Sequence, residues 1–378
     1  MAEVGALSER LLLSTTIPMG DFEAKRLNSI PQEYHDPPLA HIGLIQPHGI
    51  LFAVSRGELQ ITHCSGNVDL LGITAREALE LQLFALFEPS CIAVLSRVLD
   101  GTASCMYSSP PSPVKVISVR NRSAWMCIVH LSIGGQLIVE LESKKSDKMM
   151  SSWEFCKQVQ LASGLMRSAV SVEELSQLIA EQISNLTGYH RTMVYRFDFN
   201  GDGEVIAEMV RDPKKYGEFR GMSFPGMDIP PKARHLFFVN KFRIIADVHY
   251  EPLKILSKRR RSVSSVDMMD LSAGRELDLS RAQLRAVSPC HLQYLTNMGV
   301  KATLVNALVV HDSLWGLIVC HHYETKFWDY KSRAAMESLG QVAACQIAYL
   351  NEHLIRKQEE NARKLQSSLI SLAKPDMP

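Results

Sequence analysis

The chain has 378 residues, of which 46% are hydrophobic and 21% are charged, so two or three globular domains with apolar cores are expected. Its 41 lysine and arginine residues balance 40 aspartate and glutamate residues, which argues against a nucleic-acid or membrane partner. Apolar runs are too short to cross a bilayer, and the N-terminus does not resemble a signal peptide. The eight cysteines form no CxxC pair, which disfavours a structural zinc site and favours reduced thiols in the cytoplasm.

The first half of the chain predicts one α+β domain behind a polar arm. Residues 1–30 are mixed and polar, and we expect them to form a flexible arm. Residues 31–145 contain short β segments, then a helical stretch, then three strands with turns near Asn121 and Gly134. Strands and helices followed by an antiparallel meander are typical of a small sensor domain of the PAS type, although other folds share this order.

The second half predicts another α+β domain, over 150–340. Ser171 and Glu174 have the spacing of a capping box and predict a helix start. RTMVYRF and EVIAEMV predict a hairpin, and ATLVNALVV and SLWGLIVCHHY predict another that turns at His311. Helix, strands, insertion, strands and helix is the order of a GAF-type domain. The insertion, residues 247–284, is a long polar excursion whose run of Lys and Arg is interpreted as a solvated loop face.

The last element is predicted to be one long helix. Apolar residues between Met336 and Leu354 step by three and four, as a packed helix face does. The apolar stripe thins after residue 355, so the segment 341–378 is expected to extend beyond its own domain.

Several side chains suited to chemistry also have plain structural explanations. Asp228 lies in a proline-rich loop, and Cys290 precedes a histidine at the start of a predicted helix. Cys320 and His322 share one face of a strand, whereas His321 points to the other. An aspartate that caps a turn and a cysteine that serves as a small buried hydrophobe need no function. Two ligands on one strand are too few for a metal, so no metal site is assigned. No catalytic residue is assigned either.

The residues alone therefore leave three kinds of function open. One is a module that binds a small ligand such as a cyclic nucleotide, which does not account for Cys290, His291 and Arg285 together. A second is an enzyme with Cys290 as nucleophile, for which no motif supplies an oxyanion donor pair. A third is a dimeric signalling scaffold held by the terminal helix, which is compatible with either of the others.

Four long segments, in order, resemble a phytochrome of the cyanobacterial type. They are HIGLIQPHGILFAV, MVYRFDFNGDGEVIAE, FPGMDIPPKARHLFFVNKFRIIADV and RAVSPCHLQYLTNMGVKATLVNALVVHDSLWGLIVCHH. These segments resemble the start of the PAS domain, the first GAF strands, the DIP loop with its following segment, and the chromophore-attachment region. The resemblance covers most of residues 30–350 and implies an α+β fold in which PAS precedes GAF. It also implies a figure-of-eight knot, with Ile42 to Gln46 passing through the insertion, and a long C-terminal helix.

The resemblance implies a red/far-red photoreceptor that binds a linear tetrapyrrole covalently. Cys290 matches the GAF cysteine that forms the thioether, and light isomerises the C15=C16 bond of the bilin. The bacterial branch attaches biliverdin through a cysteine placed before the IQPHG motif, whereas the first cysteine here is Cys64. Phycocyanobilin or phytochromobilin is therefore favoured over biliverdin. A PAS–GAF module that binds a different small ligand is the alternative.

The resemblance also assigns roles to individual residues around the bilin. Arg243 and Arg285 match positions that pair with propionates, and a guanidinium can donate two parallel hydrogen bonds to a carboxylate. His291 and the backbone of Asp228 match the pyrrole-nitrogen network, and His321 matches the histidine bonded to the ring D carbonyl. The remaining cofactor-binding positions are Tyr195, Phe224, Ile229, Pro230, Tyr294 and Thr303.

The sequence departs from the family pattern in the pocket and at its end. Met227, Phe237 and Val305 stand where relatives often have serine, tyrosine, and serine or threonine, which affects spectral tuning. The family continues with a PHY domain and usually a histidine kinase, neither of which follows residue 370. We therefore expect a fragment or a truncated member without enzyme activity. The resemblance implies a cytoplasmic homodimer that signals to a histidine kinase or response regulator outside this sequence.

Overall fold

The computed structural model describes residues 39–104, 113–133, 135–143, 152–262, 265–270 and 277–372. It confirms an α+β architecture, which is built on two antiparallel sheets. The arm expected over 1–30 lies outside the described residues, as do the side chains of the basic run that begins at Lys258.

The first sheet has eight strands, in the order β1-β11-β3-β2-β6-β5-β4, with β12 paired to β11. Its strands are β1 (Leu44–Ile45), β2 (Gly49–Val54), β3 (Ile61–Ser65), β4 (Val114–Ile117), β5 (Ala124–Leu131), β6 (Leu137–Ser143), β11 (Leu253–Ser262) and β12 (Ser265–Asp270). The helices of this region are α1 (Ala75–Glu80) and α2 (Pro89–Ser104), with short 3₁₀ turns at Leu39–His41, Val68–Leu71 and Leu83–Leu86. The polar insertion is therefore not simply a loop, because β11 pairs with β3.

Both faces of the first sheet are covered, which explains why every residue of β2 is buried. Ile50 and Phe52 point into the core with α1 and α2, whereas Leu51 packs in a second cluster with Ile255 and Leu284. A strand covered on both faces reads as a continuous apolar run, and GILFAV has that composition.

The second sheet has six strands, in the order β10-β13-β14-β7-β8-β9. Its strands are β7 (Arg191–Phe197), β8 (Gly203–Val210), β9 (Ser223–Phe224), β10 (Phe242–Ile245), β13 (Ala302–Val310) and β14 (Ser313–His322). The accompanying helices are α3 (Ser152–Ser168), α4 (Val172–Thr187), α5 (Pro213–Tyr216), α6 (Pro231–Val239), α7 (Pro289–Asn297) and α8 (Tyr330–Leu372). Helices α3, α4 and α8 cover one face around Trp328 and Ile318, and the opposite face carries the candidate site.

Local signals set the ends of several of these elements. The side chain of Ser171 accepts a hydrogen bond from the amide of Glu174 at 3.1 Å, as the predicted cap requires. The carboxylate of Glu174 accepts from the amide of Val170 rather than from Ser171, so the capping box is shifted by one residue. His311 and Asp312 have φ values of 47° and 56°, which match the left-handed turn that joins β13 to β14.

The predicted long helix is confirmed as α8, which has 43 residues. Met336 and Leu350 are buried against the sheet, but Leu354 is 53% exposed, so the prediction that it belongs to the packed face was wrong. The reason is that the helix has passed the edge of its own domain by that turn. Within the described residues, no helix is long and apolar enough to cross a membrane.

The segment 40–46 lies between the two ends of the insertion. Gly43 accepts a hydrogen bond from the amide of Ile255 at 3.0 Å, and the amide of Gln46 donates to Leu284 at 2.7 Å. These contacts hold the segment from both sides. Complete passage through a closed loop remains a prediction, since residues 263–264 and 271–276 lie outside the described part of the chain.

Candidate functional site

The thiol of Cys290 differs from most other described cysteines in its exposure. Cys290 is exposed in the first turn of α7. By contrast, burial raises the pKa of Cys64, Cys127 and Cys320 to about 12, which makes those thiols unreactive. Only Cys156 and Cys345 are also exposed among the described cysteines, and they lie on α3 and α8.

The DIP loop and α7 meet through polar and aromatic side chains. The hydroxyl of Tyr294 donates to a carboxylate oxygen of Asp228 at 3.5 Å, and the rings of His291 and Tyr294 stack with centroids 6.1 Å apart. Ile229 packs into the apolar cluster on this face of the sheet, and Pro230 forms the N-cap of α6. The loop is therefore held close to the helix that carries Cys290.

Two aromatic rings form a wall beside this junction. The rings of Tyr195 on β7 and Phe224 on β9 lie 6.1 Å apart, and Tyr195 is buried. Burial raises the pKa of Tyr195, and the nearby carboxylate of Asp228 raises it further, followed by Tyr294. Tyr195 is accordingly a neutral phenol close to the other two groups.

His321 and Thr303 are cross-strand partners on the same face of the second sheet. Both are buried, and neither Nδ1 of His321 nor Oγ1 of Thr303 has a hydrogen-bond partner within the described residues. Burial, with the charges of Arg191 and His291, lowers the pKa of His321 to about 3. Because buried polar atoms are normally bonded, two adjacent unpartnered atoms on one face suit a polar ligand. Cys320 lies on the opposite face, as strand alternation predicts.

Arg243 and Arg285 lie together next to the segment that leads to Cys290, but both donate to backbone carbonyls. Arg243 donates to Gln283 at 3.3 Å, to Ala286 at 3.1 Å, and to Arg285. The guanidinium of Arg285 donates to the carbonyl of Leu39 at 3.2 Å, while its buried Nε has no hydrogen-bond partner in the described part of the chain. Burial lowers the pKa of both arginines, and for Arg285 the charge of Arg243 adds to the effect. Their role as propionate partners remains a prediction.

Sequence reasoning missed a buried ion pair behind His321. Arg191 opens β7 and is fully buried, where it forms an ion pair with Glu208 and covers the ring of Phe219 at 3.8 Å. A charged residue facing the interior at the start of an apolar strand was the available signal. This pair keeps positive charge next to His321 and so favours its neutral form.

Comparisons with known proteins agree with this geometry. The model of the GAF domain matches residues 171–348, and that of the PAS fold matches residues 35–144. Cyanobacterial phytochrome B of Nostoc sp. is 32% identical over 94% of this chain and 44% of its own length. The solved chromophore-binding domain of a bacteriophytochrome from R. palustris is 30% identical, with a TM-score of 0.71, over 84% of this chain and 97% of that one. The photosensory core module of the Stigmatella aurantiaca phytochrome is 32% identical, with a TM-score of 0.76, over 89% and 64%.

This chain belongs to the phytochrome family, and the matched part is the PAS–GAF photosensory region. The resemblance found in the sequence is thereby confirmed. The chain spans 44% of the length of the cyanobacterial relative. The predicted domain bounds, 31–145 and 150–340, overlap the two matched ranges.

Proposed function

We propose that this chain is a photoreceptor module that holds a linear tetrapyrrole covalently through Cys290. The observation that carries the proposal is that α7 carries the exposed thiol of Cys290 next to His291, whose charge acts on the buried His321. Within the described residues, Nδ1 of His321 and Oγ1 of Thr303 have no hydrogen-bond partner. A long conjugated ligand with polar ends fits this set of groups, because the site offers a nucleophile at one place and hydrogen-bonding atoms at another.

Burial sets the protonation state of the two histidines of this site. Burial lowers the pKa of His291 to about 4 and that of His321 to about 3, so both rings are neutral near pH 7. A neutral imidazole offers one donor and one acceptor nitrogen, which suits the lactam and pyrrole groups of a bilin. Arg243 and Arg285 supply positive charge nearby. We propose that the bilin propionates take the place of the backbone carbonyls as acceptors of hydrogen bonds from these arginines.

Among bilins, we favour phycocyanobilin or phytochromobilin over biliverdin. Cys64, the first cysteine of the sequence, is fully buried in the first sheet, whereas Cys290 is exposed beside the pocket residues. When bound, the bilin supplies absorption of red light and isomerisation at C15=C16. The residues of this chain then hold two alternative hydrogen-bonding arrangements, and we propose a switch without turnover of a substrate.

Signalling by this module is proposed to involve a homodimer and an output partner. Helix α8 exposes Tyr349, Leu354 and Leu365 along its length, which supports pairing of such helices. We further propose that a histidine kinase or response regulator receives the signal, and that this takes place in the cytoplasm.

The test is co-expression with enzymes that make phycocyanobilin, alongside Cys290→Ala and Cys345→Ala variants. Zinc-induced fluorescence on a denaturing gel reports covalent bilin, and a red/far-red difference spectrum reports switching. Fluorescence is expected from the wild type and Cys345→Ala but not from Cys290→Ala, since Cys345 is an equally exposed thiol away from the site. A colourless wild type would favour the alternative, a module that binds a different ligand. A fluorescent Cys290→Ala band would show that the bilin is not attached through Cys290.

A further inference from the structure

The backbone that leads to Cys290 is held by groups from three other parts of the chain. The carboxylate of Glu140 on β6 accepts from the amide of Leu284 at 2.7 Å, and the carbonyl of Leu284 accepts from Gln46. Arg243 on β10 donates to the carbonyls of the next two residues, Arg285 and Ala286. These bonds reach as far as Ala286, three positions before α7 begins at Pro289.

The phenol of Tyr250 holds the next residue, Val287. The amide of Val287, three residues before Cys290, donates to the Tyr250 hydroxyl oxygen at 2.8 Å. The ring of Tyr250 packs in the same apolar cluster as Val287 and Leu295, and Leu295 lies on α7 five residues after Cys290. Tyr250 therefore contacts the backbone before the cysteine and belongs to the cluster that seats the helix after it.

Tyr250 is itself well anchored. The amide of Val248 donates to the carbonyl of Lys301 at 2.7 Å, and the amide of Lys326 donates to the carbonyl of Ala246 at 2.9 Å. These bonds fasten the segment after β10 to the residues that flank β13 and β14. Burial raises the pKa of Tyr250, so the phenol remains neutral. These contacts hold the hydroxyl oxygen of Tyr250 in place next to the segment before α7.

We propose that Tyr250 is a positioning residue for formation of the thioether at Cys290, an inference that rests on the proposed function. In that step the sulfur bonds to one carbon of a side-chain double bond on ring A, and the thiol proton ends on the other carbon. The addition needs no oxidant and releases no leaving group. Its rate depends on the distance and alignment of the sulfur, which the bond from Val287 to Tyr250 sets.

The test compares the wild type with Tyr250→Phe, which keeps the ring and removes only the acceptor oxygen. Purified apoprotein is mixed with phycocyanobilin at increasing concentrations, and non-covalent uptake and covalent attachment are followed separately. We expect the attachment rate at saturating bilin to fall by about tenfold, with an unchanged half-saturating concentration. Hydrogen exchange of the apoprotein provides an independent readout, because the amide of Val287 should lose protection.

The matched control is Tyr189→Phe. Tyr189 is a fully buried phenol on the helix-covered face of the same sheet, and its hydroxyl has no hydrogen-bond partner within the described residues. Removing that hydroxyl leaves no donor unpaired, so attachment should keep the wild-type rate. Scaling each rate to the bilin taken up by the same sample removes the contribution of any unfolded protein.

The possible results separate the inference from the proposed function. An equal attachment rate in the wild type and Tyr250→Phe overturns the positioning role, and so does a parallel loss of uptake and attachment, which indicates a general structural role. A wild type that takes up no bilin overturns the proposed function and the inference together. A wild type that attaches bilin while Tyr250→Phe only binds it supports both.

Discussion

The two sheets use their buried polar side chains for different purposes. In the first sheet, Glu140 accepts two backbone amides, those of Gln283 and Leu284, and Glu142 pairs with Arg333 at 2.5 Å. Both carboxylates therefore fasten the second region to the first. In the second sheet, Thr303 and His321 turn toward one face buried atoms that have no partner among the described residues. Glu140 and Glu142 of the first sheet therefore hold the second region, whereas Thr303 and His321 leave polar atoms with which the proposed ligand can form hydrogen bonds.

The cysteines show the same contrast. Cys64 and Cys127 of the first sheet are fully buried among apolar side chains, where a thiol is a small hydrophobe. Cys290 lies outside the sheet, on a short helix at the edge of the pocket. The exposure of a thiol in this molecule therefore depends on its position in the fold, and the comparison of the two regions can be tested by mutation.

The largest effect is expected from Arg333→Met, which breaks the joint between the regions. Arg333 on α8 is 2% exposed and donates to Glu142 of β6, which is equally buried. Removing the cation leaves a buried carboxylate without its partner, which destabilises a protein by about 3–5 kcal/mol. Urea unfolding at pH 7 measures the loss.

The companion variant is the double substitution Glu142→Leu with Arg333→Met. It replaces the pair with apolar side chains, so most of the lost stability should return. A single Arg333→Met variant within about 1 kcal/mol of the wild type would show that the pair does not join the two regions energetically.

The second effect is a loss of stability in acid that originates in the pocket. The pKa of His321 is lowered to about 3 from 6.5, so between these values the unfolded chain binds a proton that the folded chain does not. Stability is therefore full above pH 6.5 and falls as the pH drops, by about 2 kcal/mol at pH 5 from this residue alone. His48 and His291 shift in the same direction, chiefly through burial.

Unfolding free energies measured from pH 7.5 to pH 4.5 check this expectation, with His321→Gln as the control. The glutamine keeps polar atoms at the site but does not titrate, so the slope against pH should become shallower. An unchanged slope would mean that His321 titrates alike in the folded and the unfolded chain.

Local signals account for the elements that the sequence predicted well. The cap at Ser171, the turn at His311 and the apolar steps along α8 depend on residues within a few positions of each other. The pairing of β11 with the first sheet was missed, because KILSKRRRS has a polar composition and its partner strand lies far away in the sequence.

The sequence named residues of the candidate site, but it did not indicate their contacts. Order and resemblance placed Cys290, His291 and Asp228 together, yet no pattern indicated that Arg243 donates to carbonyls rather than pointing freely into the pocket. The bonds before the site and between the two regions join distant positions: Tyr250 and Val287 are 37 residues apart, and Glu142 and Arg333 are 191 apart. Such pairs depend on tertiary packing, which periodicity does not encode.

A third prediction compares a glycine in a strand of the second sheet with one in a turn of the first sheet. The ring of Tyr195 lies directly over Gly203 of β8, so a methyl group there would collide with it. Gly203→Ala should lower stability by about 1–3 kcal/mol and weaken bilin uptake by displacing Tyr195. Gly57, in the turn between β2 and β3, has open space around it, so Gly57→Ala should stay within about 0.5 kcal/mol of the wild type. If the two substitutions change bilin uptake equally, Tyr195 does not form part of the pocket wall.

The smallest effect is expected from the cap of α1 in the first region. The Thr74 hydroxyl accepts from the amide of Glu77 at 3.2 Å, and the Glu77 carboxylate accepts from the amide of Thr74 at 2.7 Å. Thr74→Ala leaves the Glu77 amide without its side-chain acceptor and should cost about 1 kcal/mol in urea unfolding, whereas Thr74→Ser keeps the bond and most of the stability. Because α1 belongs to the first region, bilin attachment should keep its wild-type rate in both variants. A slower bilin attachment in Thr74→Ala alone would show that loss of the α1 cap affects Cys290. The two regions would then not be independent of each other.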